Sequence, residues 1–554
     1  MKFSEMPYER VDVSQVEKEV NGLIEALDKA QSGEEQFAIH KRYTDFFDKV
    51  DTMIRISYIR ADMLSAPQSS EYDYKEEWAH YGQQMPMYTD MRIKYKEKIC
   101  NSPYRYYLKE KIGDDLDFGD LQKVENEKMI QLQQEENDLL RGDETAADSD
   151  EFDEFYDRLV KNRAAQAKAL GCEDYYEMRY FGLHDFCKED VEAFRRQVKK
   201  YLVPFAEKLH DRGKKSPEIE EDEYIFCSEV DDLEGSDKRE KALQKMFREM
   251  APKAGEFFDF MLDNELLCRG SYSLGVSSAI YLPLYHVPVV VVNDPTMYTY
   301  IHELGHAFQM YLSGHFSDSA AAEINSQSME FFSEKWAELI YGAGQEGIDS
   351  HLKSSIFNII ECCVWGEFEQ IVYENPDMSP ADRSKALWKL EKEYRPYLDE
   401  DYLESVLLAS WKQYATDDEE SDELSHTCHE TSDGSTRSQE CLSWLMTSDK
   451  VKKVNTNVRP DVDDSMYLSH GISPEKRAFL CTNPVYQFDY SLSMICALQY
   501  KVMMEEDFDA AWKSYLKLCE STGSMSFTKV IKEAGLMSPF EDGCVKKLVE
   551  KLEK

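Results

Sequence analysis

Apolar residues recur every third or fourth position along most of this chain, with long polar faces between them, as in helices that bury a single stripe. The pattern predicts helices over Val13–Lys29, 34–64 and 125–141, and again over 151–170 and 191–209. Residues 142–150 are acidic and lose the periodicity. They predict a linker between an N-terminal helical lobe, 1–150, and the remainder, 151–554. A different texture precedes residue 300. Residues 279–284 and 287–293 are apolar and β-branched, bounded by Gly275 and the turn Asp294-Pro295, and predict two strands.

Directly after these strands stands His302-Glu303-Leu304-Gly305-His306. Four residues make about one helical turn, so both imidazoles lie on one helix face and can reach a single metal ion. A glutamate between two such histidines is the arrangement of zinc-dependent peptidases, in which that carboxylate is the general base toward the attacking water. Glu303 takes this role. Phe332, Trp336 and Leu339 recur at helical spacing, which predicts a second helix returning after a turn at Gly314. Glu330 lies on it, 28 positions after His302. Its carboxylate would complete a three-ligand site for one zinc ion, His302, His306 and Glu330, with the fourth position open. Glu334, one turn further, would hold a ligand imidazole by its free N–H.

These residues carry a family resemblance. The stretch His302 to Gln309 (HELGHAFQ), the block EINSQSMEFF and the late segment Pro484-Val485-Tyr486-Gln487-Phe488-Asp489-Tyr490 resemble the oligoendopeptidase F branch of the thimet-oligopeptidase-like (M3) metallopeptidases. The opening Met1-Lys2-Phe3-Ser4-Glu5-Met6-Pro7-Tyr8-Glu9-Arg10 resembles the start of that branch too, so the similarity spans most of the chain. It implies a mainly α-helical, two-lobed fold with a deep cleft and a small β-sheet beside the HExxH helix. It also implies endopeptidase cleavage of short peptides. A family tyrosine donates its hydroxyl to the tetrahedral oxyanion, and the matching position is Tyr490, with Tyr486 a second candidate.

The chain also departs from that family. Relatives carry a Gly-Gly-rich segment before the first strand and a longer Gly-Thr loop after the second. Here Ser273-Leu274-Gly275-Val276-Ser277 and Asn293-Asp294-Pro295-Thr296 stand in those places. Relatives place a histidine five residues before the proline of the tyrosine segment, whereas the expected position falls on Thr416 or Phe479. Between those two lies an apparent insertion, 417–476, rich in Asp, Glu, Ser and Thr, which predicts a surface loop. Its His426, His429 and His470 are alternative sources of the imidazole. His286 and His315 read as ordinary polar residues.

With 554 residues the chain has room for two or more domains and a large core. Its 108 acidic against 65 basic side chains give a formal charge of -43, which argues against nucleic acid or anionic membrane as partner. No positively charged n-region with an apolar h-region opens the chain, and no apolar run approaches a bilayer span. Thirteen cysteines without CxxC spacing predict reduced thiols and a cytoplasmic location, with Cys362-Cys363 packed in the core.

The sequence therefore predicts a zinc endopeptidase acting on oligopeptides, whose extended backbone pairs with the edge of the small sheet. Two other readings share its features. One is a degenerate relative that binds peptide or zinc with little turnover, prompted by the displaced histidine and the insertion. The other is an aminopeptidase of another HExxH clan.

Overall fold

Four helices open the chain: α1 (Val13–Lys29), α2 (Gly33–Asp62), α3 (Tyr74–Cys100) and α4 (Arg105–Ile112). Asp12 and Ser32 cap the first two, their side chains accepting the N–H of Ser14 and Glu35. Val16, Leu23, Phe47, Tyr81, Tyr95 and Leu108 form a core of their own. Further along α2, Met53, Ile56 and Ile59 enter the larger core of the molecule, so one helix ties both together.

The computed structural model describes residues 1–63, 72–112, 152–181, 184–214, 236–270, 277–293, 296–315, 320–397 and 480–554, with the pairs 131–132, 135–136 and 139–140. The linker 142–150, the insertion 417–476 with His426, His429 and His470, and Thr416 and Phe479 lie outside the described residues. So do 273–276, 294–295 and most of the predicted helix 125–141.

Next come α5 (Phe152–Leu170), α6 (Lys188–Gln197) and α7 (Val203–Lys214). The helix predicted over 191–209 is one run widened by a five-residue π-turn, Val198–Leu202. After α8 (Ser236–Met250) and α9 (Pro252–Asp263) the chain forms its sheet from β1 (Leu267–Arg269), β2 (Ser278–Leu282) and β3 (Val287–Val292). The order is β1-β3-β2, with β1 parallel and β2 antiparallel to β3. Central β3 buries Val289 to Val292, as a strand covered on both faces must.

The longer helices that follow among the described residues are α10 (Met297–Ser313), α11 (Ala320–Ser333), α12 (Gln345–Glu374), α13 (Pro380–Tyr394), α14 (Gln487–Glu506), α15 (Phe508–Ser521), α16 (Phe527–Ala534) and α17 (Cys544–Leu552). The architecture is mainly α-helical with one small sheet against α10. Thr296 caps α10 through the N–H of Thr299, and Gly314 ends it in the left-handed region at φ 71°. Helix α11 is buried along its whole length and packs between α10 and α14. Its contact with α10 is backbone to backbone: a Cβ on Gly305 would meet Ser326 Cα at 2.6 Å.

Candidate active site

Helix α10 presents His302 and His306 one turn apart, their ring centroids 4.9 Å from each other and the planes at 79°. Facing them from the first turn of α11 is Glu323, whose Oε2 lies 3.4 Å from Nε2 of His302 and 3.6 Å from Nε2 of His306. All three donor atoms fall within 4.8 Å of one another. A tetrahedral ion with bonds of about 2.0–2.2 Å has ligand atoms roughly 3.3–3.6 Å apart, and both carboxylate–imidazole distances suit zinc. Burial works against the charge on Glu323, yet the two imidazoles hold its carboxyl well below the usual range.

Glu330, expected from the sequence as the third ligand, occupies a different place. Its Oε1 sits 2.6 Å from Nδ1 of His302, a hydrogen-bond distance too short for two ligands of one ion. The carboxylate is fully buried and also accepts from Tyr298 Oη at 2.8 Å, while His351 Nε2 lies 3.3 Å from it. Glu330 thus holds a histidine by its outer nitrogen, the role expected of Glu334. Glu334 itself faces His351 Nδ1 at 2.9 Å and accepts from Lys501 Nζ at 2.5 Å. Glu323 was not among the donors expected from the sequence. Glu330 is flanked by Met329, Phe331 and Phe332, which belong deep in a core, whereas a metal that meets substrate needs a donor near the solvent rim.

Glu303 lies on α10 between the histidines and is buried. Burial pushes its carboxyl above the usual value of 4.5, and nearby Glu323 adds to the rise. His302, His306 and the Ala279 backbone amide pull the other way. That last contact brings β2 to the carboxylate.

Strand β2 pairs along one side only among the described residues. Tyr281 stands opposite Pro288, which has no N–H, and the Tyr281 carbonyl accepts from Arg55 Nη1 at 2.6 Å. Helix α2 thereby caps one end of the edge, and Ala279 further along it lies beside Glu303.

Tyr490 lies in the first turn of α14, and its phenol is raised well above 10 by burial and by the carboxylates of Glu323 and Glu303. It therefore stands close to the donor trio as a neutral O–H. Tyr486 is more exposed, its hydroxyl 3.4 Å from that of Tyr490. The chain reaches this helix through Val485, a β-branched residue held at φ 67° while its N–H donates to Glu369 Oε1 at 2.8 Å.

Residues 3–117 match the peptidase M3 N-terminal domain model. Over the whole chain the fold is that of the M3 peptidases. Within them it matches the oligoendopeptidase F and Pz-peptidase branch. A candidate oligoendopeptidase F is 26% identical, with a TM-score of 0.70, covering 100% of this chain and 98% of that one. Pz peptidase A bound to an inhibitor is 25% identical, with a TM-score of 0.70 over 100% and 98% of the two chains. A candidate oligoendopeptidase F from Bacillus anthracis str. Ames, at 24% identity, shares the fold with a TM-score of 0.67 over 100% and 97%. No curated protein matches the chain. Sequence and fold together support a peptidase. Among the described residues no helix is long and apolar enough to cross a membrane.

Proposed function

We propose that this chain is a zinc-dependent endopeptidase of short oligopeptides, with one ion held by His302, His306 and Glu323. The observation that carries the reading is the convergence of two imidazole nitrogens and a carboxylate oxygen within 4.8 Å of one another, beside a buried glutamate. When bound, zinc supplies Lewis acidity toward the scissile carbonyl and the attacking water. Glu303 accepts the water proton and passes it to the leaving amine. Its raised pKa brings it nearer the working pH, where a general base transfers protons best. Tyr490 donates its O–H to the developing oxyanion, and Tyr486 lies further out, toward solvent.

The backbone of an extended peptide adds to β2 over Ser278 to Ile280, which sets the scissile amide next to Glu303 without reading side chains. Pairing of this kind suits broad oligopeptide specificity and internal cleavage. All ten described cysteines are free, in keeping with a reducing compartment such as the cytoplasm.

The test is an internally quenched octapeptide blocked at both ends. We expect internal cleavage, loss of it on chelation with recovery on adding zinc, and loss in Glu303→Gln. Zinc-loaded protein that leaves the peptide intact, or that cleaves only substrates with a free N-terminus, would overturn the reading.

A further inference from the structure

Behind the donor trio runs a connected chain of buried polar groups that the proposed chemistry leaves unused. Glu330 meets His302 with one oxygen, and Tyr298 and His351 with the other. His351, near the start of α12, turns its second nitrogen to Glu334 at 2.9 Å. Lys501, on α14, reaches the far oxygen of Glu334 at 2.5 Å. All four of Glu330, His351, Glu334 and Lys501 are buried. The His351 ring is further fixed against Phe331, centroids 4.6 Å apart, and edge-on to Tyr298 at 5.5 Å.

Both nitrogens of His351 therefore meet carboxylate oxygens. A neutral imidazole has one N–H and would turn a lone pair toward one of them, whereas an imidazolium donates to both. The count of charge agrees: two buried carboxylates are matched by the imidazolium and the Lys501 ammonium. Burial opposes the charge on His351, but Glu330 and Glu334 outweigh it and raise the group to about 9.

We propose that His351 is a positioning residue for the metal site, its imidazolium clamping Glu330 against Nδ1 of His302 so that Nε2 of His302 carries the lone pair facing His306 and Glu323. The proposal rests on the ligand reading above. Held as an anion by His351, Glu330 requires an N–H at Nδ1 of His302, which fixes the tautomer and the ring plane. Without His351 the buried carboxylate loses a cationic partner. It then takes up a proton or turns away, and His302 loses its anchor.

Zinc dissociation constants, measured by competition with a chromophoric chelator, test this on the full chain. His351→Leu and Glu330→Gln should each weaken zinc binding roughly 10- to 100-fold. The double variant should bind within about 2-fold of Glu330→Gln alone, because His351 acts through that carboxylate. His351→Gln, whose amide still donates to Glu330, should recover part of the loss, which a packing defect would not. Should circular dichroism show that His351→Leu is unfolded, Lys501→Met carries the test, with an expected loss of roughly 3- to 10-fold. Unchanged affinity in the folded variants, or additive losses in the double variant, overturns the proposal. Wild-type protein that takes up no zinc, or a Glu323→Gln variant that binds as tightly as wild type, defeats instead the ligand assignment beneath it.

Discussion

Glu323 and Glu330 stand seven residues apart on α11 and approach His302 at opposite nitrogens, Glu323 at 3.4 Å from Nε2 and Glu330 at 2.6 Å from Nδ1. The two carboxylates should separate in a metal titration. Glu323→Ala removes a proposed ligand and should abolish stoichiometric zinc uptake. Glu330→Gln keeps the three donors and should weaken binding roughly 10- to 100-fold. Isothermal titration with chelator competition reads both.

Glu303 gives a pH signature. A general base works only when ionised, and burial holds this carboxyl above 4.5, so the acidic limb of kcat/KM should fall at a pH higher than an exposed glutamate would give. Glu303→Gln should keep zinc, lower kcat by about 10²–10⁴-fold and erase that limb. Steady-state rates from acid to neutral pH check it.

Removing the Tyr490 hydroxyl should cost turnover more than binding. Tyr490→Phe is expected to lower kcat by about 10²–10³-fold with KM little changed, as for loss of an oxyanion donor. Tyr486→Phe, at the more exposed position, should lower kcat less than about tenfold. The contrast between the two ranks the hydroxyls.

Glu369 supports the tyrosines from behind. Its carboxylate receives the Val485 N–H where the backbone takes a left-handed turn that valine disfavours. Glu369→Ala leaves that buried N–H without this acceptor and should destabilise the fold by about 1–3 kcal/mol. It should also lower kcat by letting the start of α14 shift. Urea unfolding and kinetics on one preparation compare the two effects.

His351 predicts a pH-dependent stability in the metal-free protein. Its folded pKa of about 9 lies above the ordinary 6.5, so the folded state binds the proton more tightly than the unfolded chain. The resulting stabilisation is complete below 6.5 and is lost as pH rises through about 9. Urea midpoints should fall across that window in wild type and fall less in His351→Leu.

Much of this was legible in the chain. The HExxH pair announces a helix face because its spacing matches the helical repeat, and α10 carries it as expected. Strands β2 and β3 announced themselves through runs such as Val289 to Val292, whereas β1 did not, since three residues give no period to detect. The third donor was expected at Glu330, and the proposed reading puts it seven residues earlier on α11, at Glu323. Helical periodicity puts Glu323 and Glu330 on a common face without saying which nitrogen each meets. The partnership of Glu334 with Lys501 spans 167 positions and arises only when α14 packs on α11, so no local pattern could contain it.

Gly305 lets the helix bearing the histidines and the helix bearing Glu323 touch without a side chain between them. On the proposed reading, the width of the cation's seat would then be a main-chain dimension, fixed when the protein folds. Little ordering entropy would be left for the capture event. The same stiffness would make the seat selective by ionic radius, because a calcium-sized guest with bonds of about 2.3–2.6 Å would have to prise two packed backbones apart.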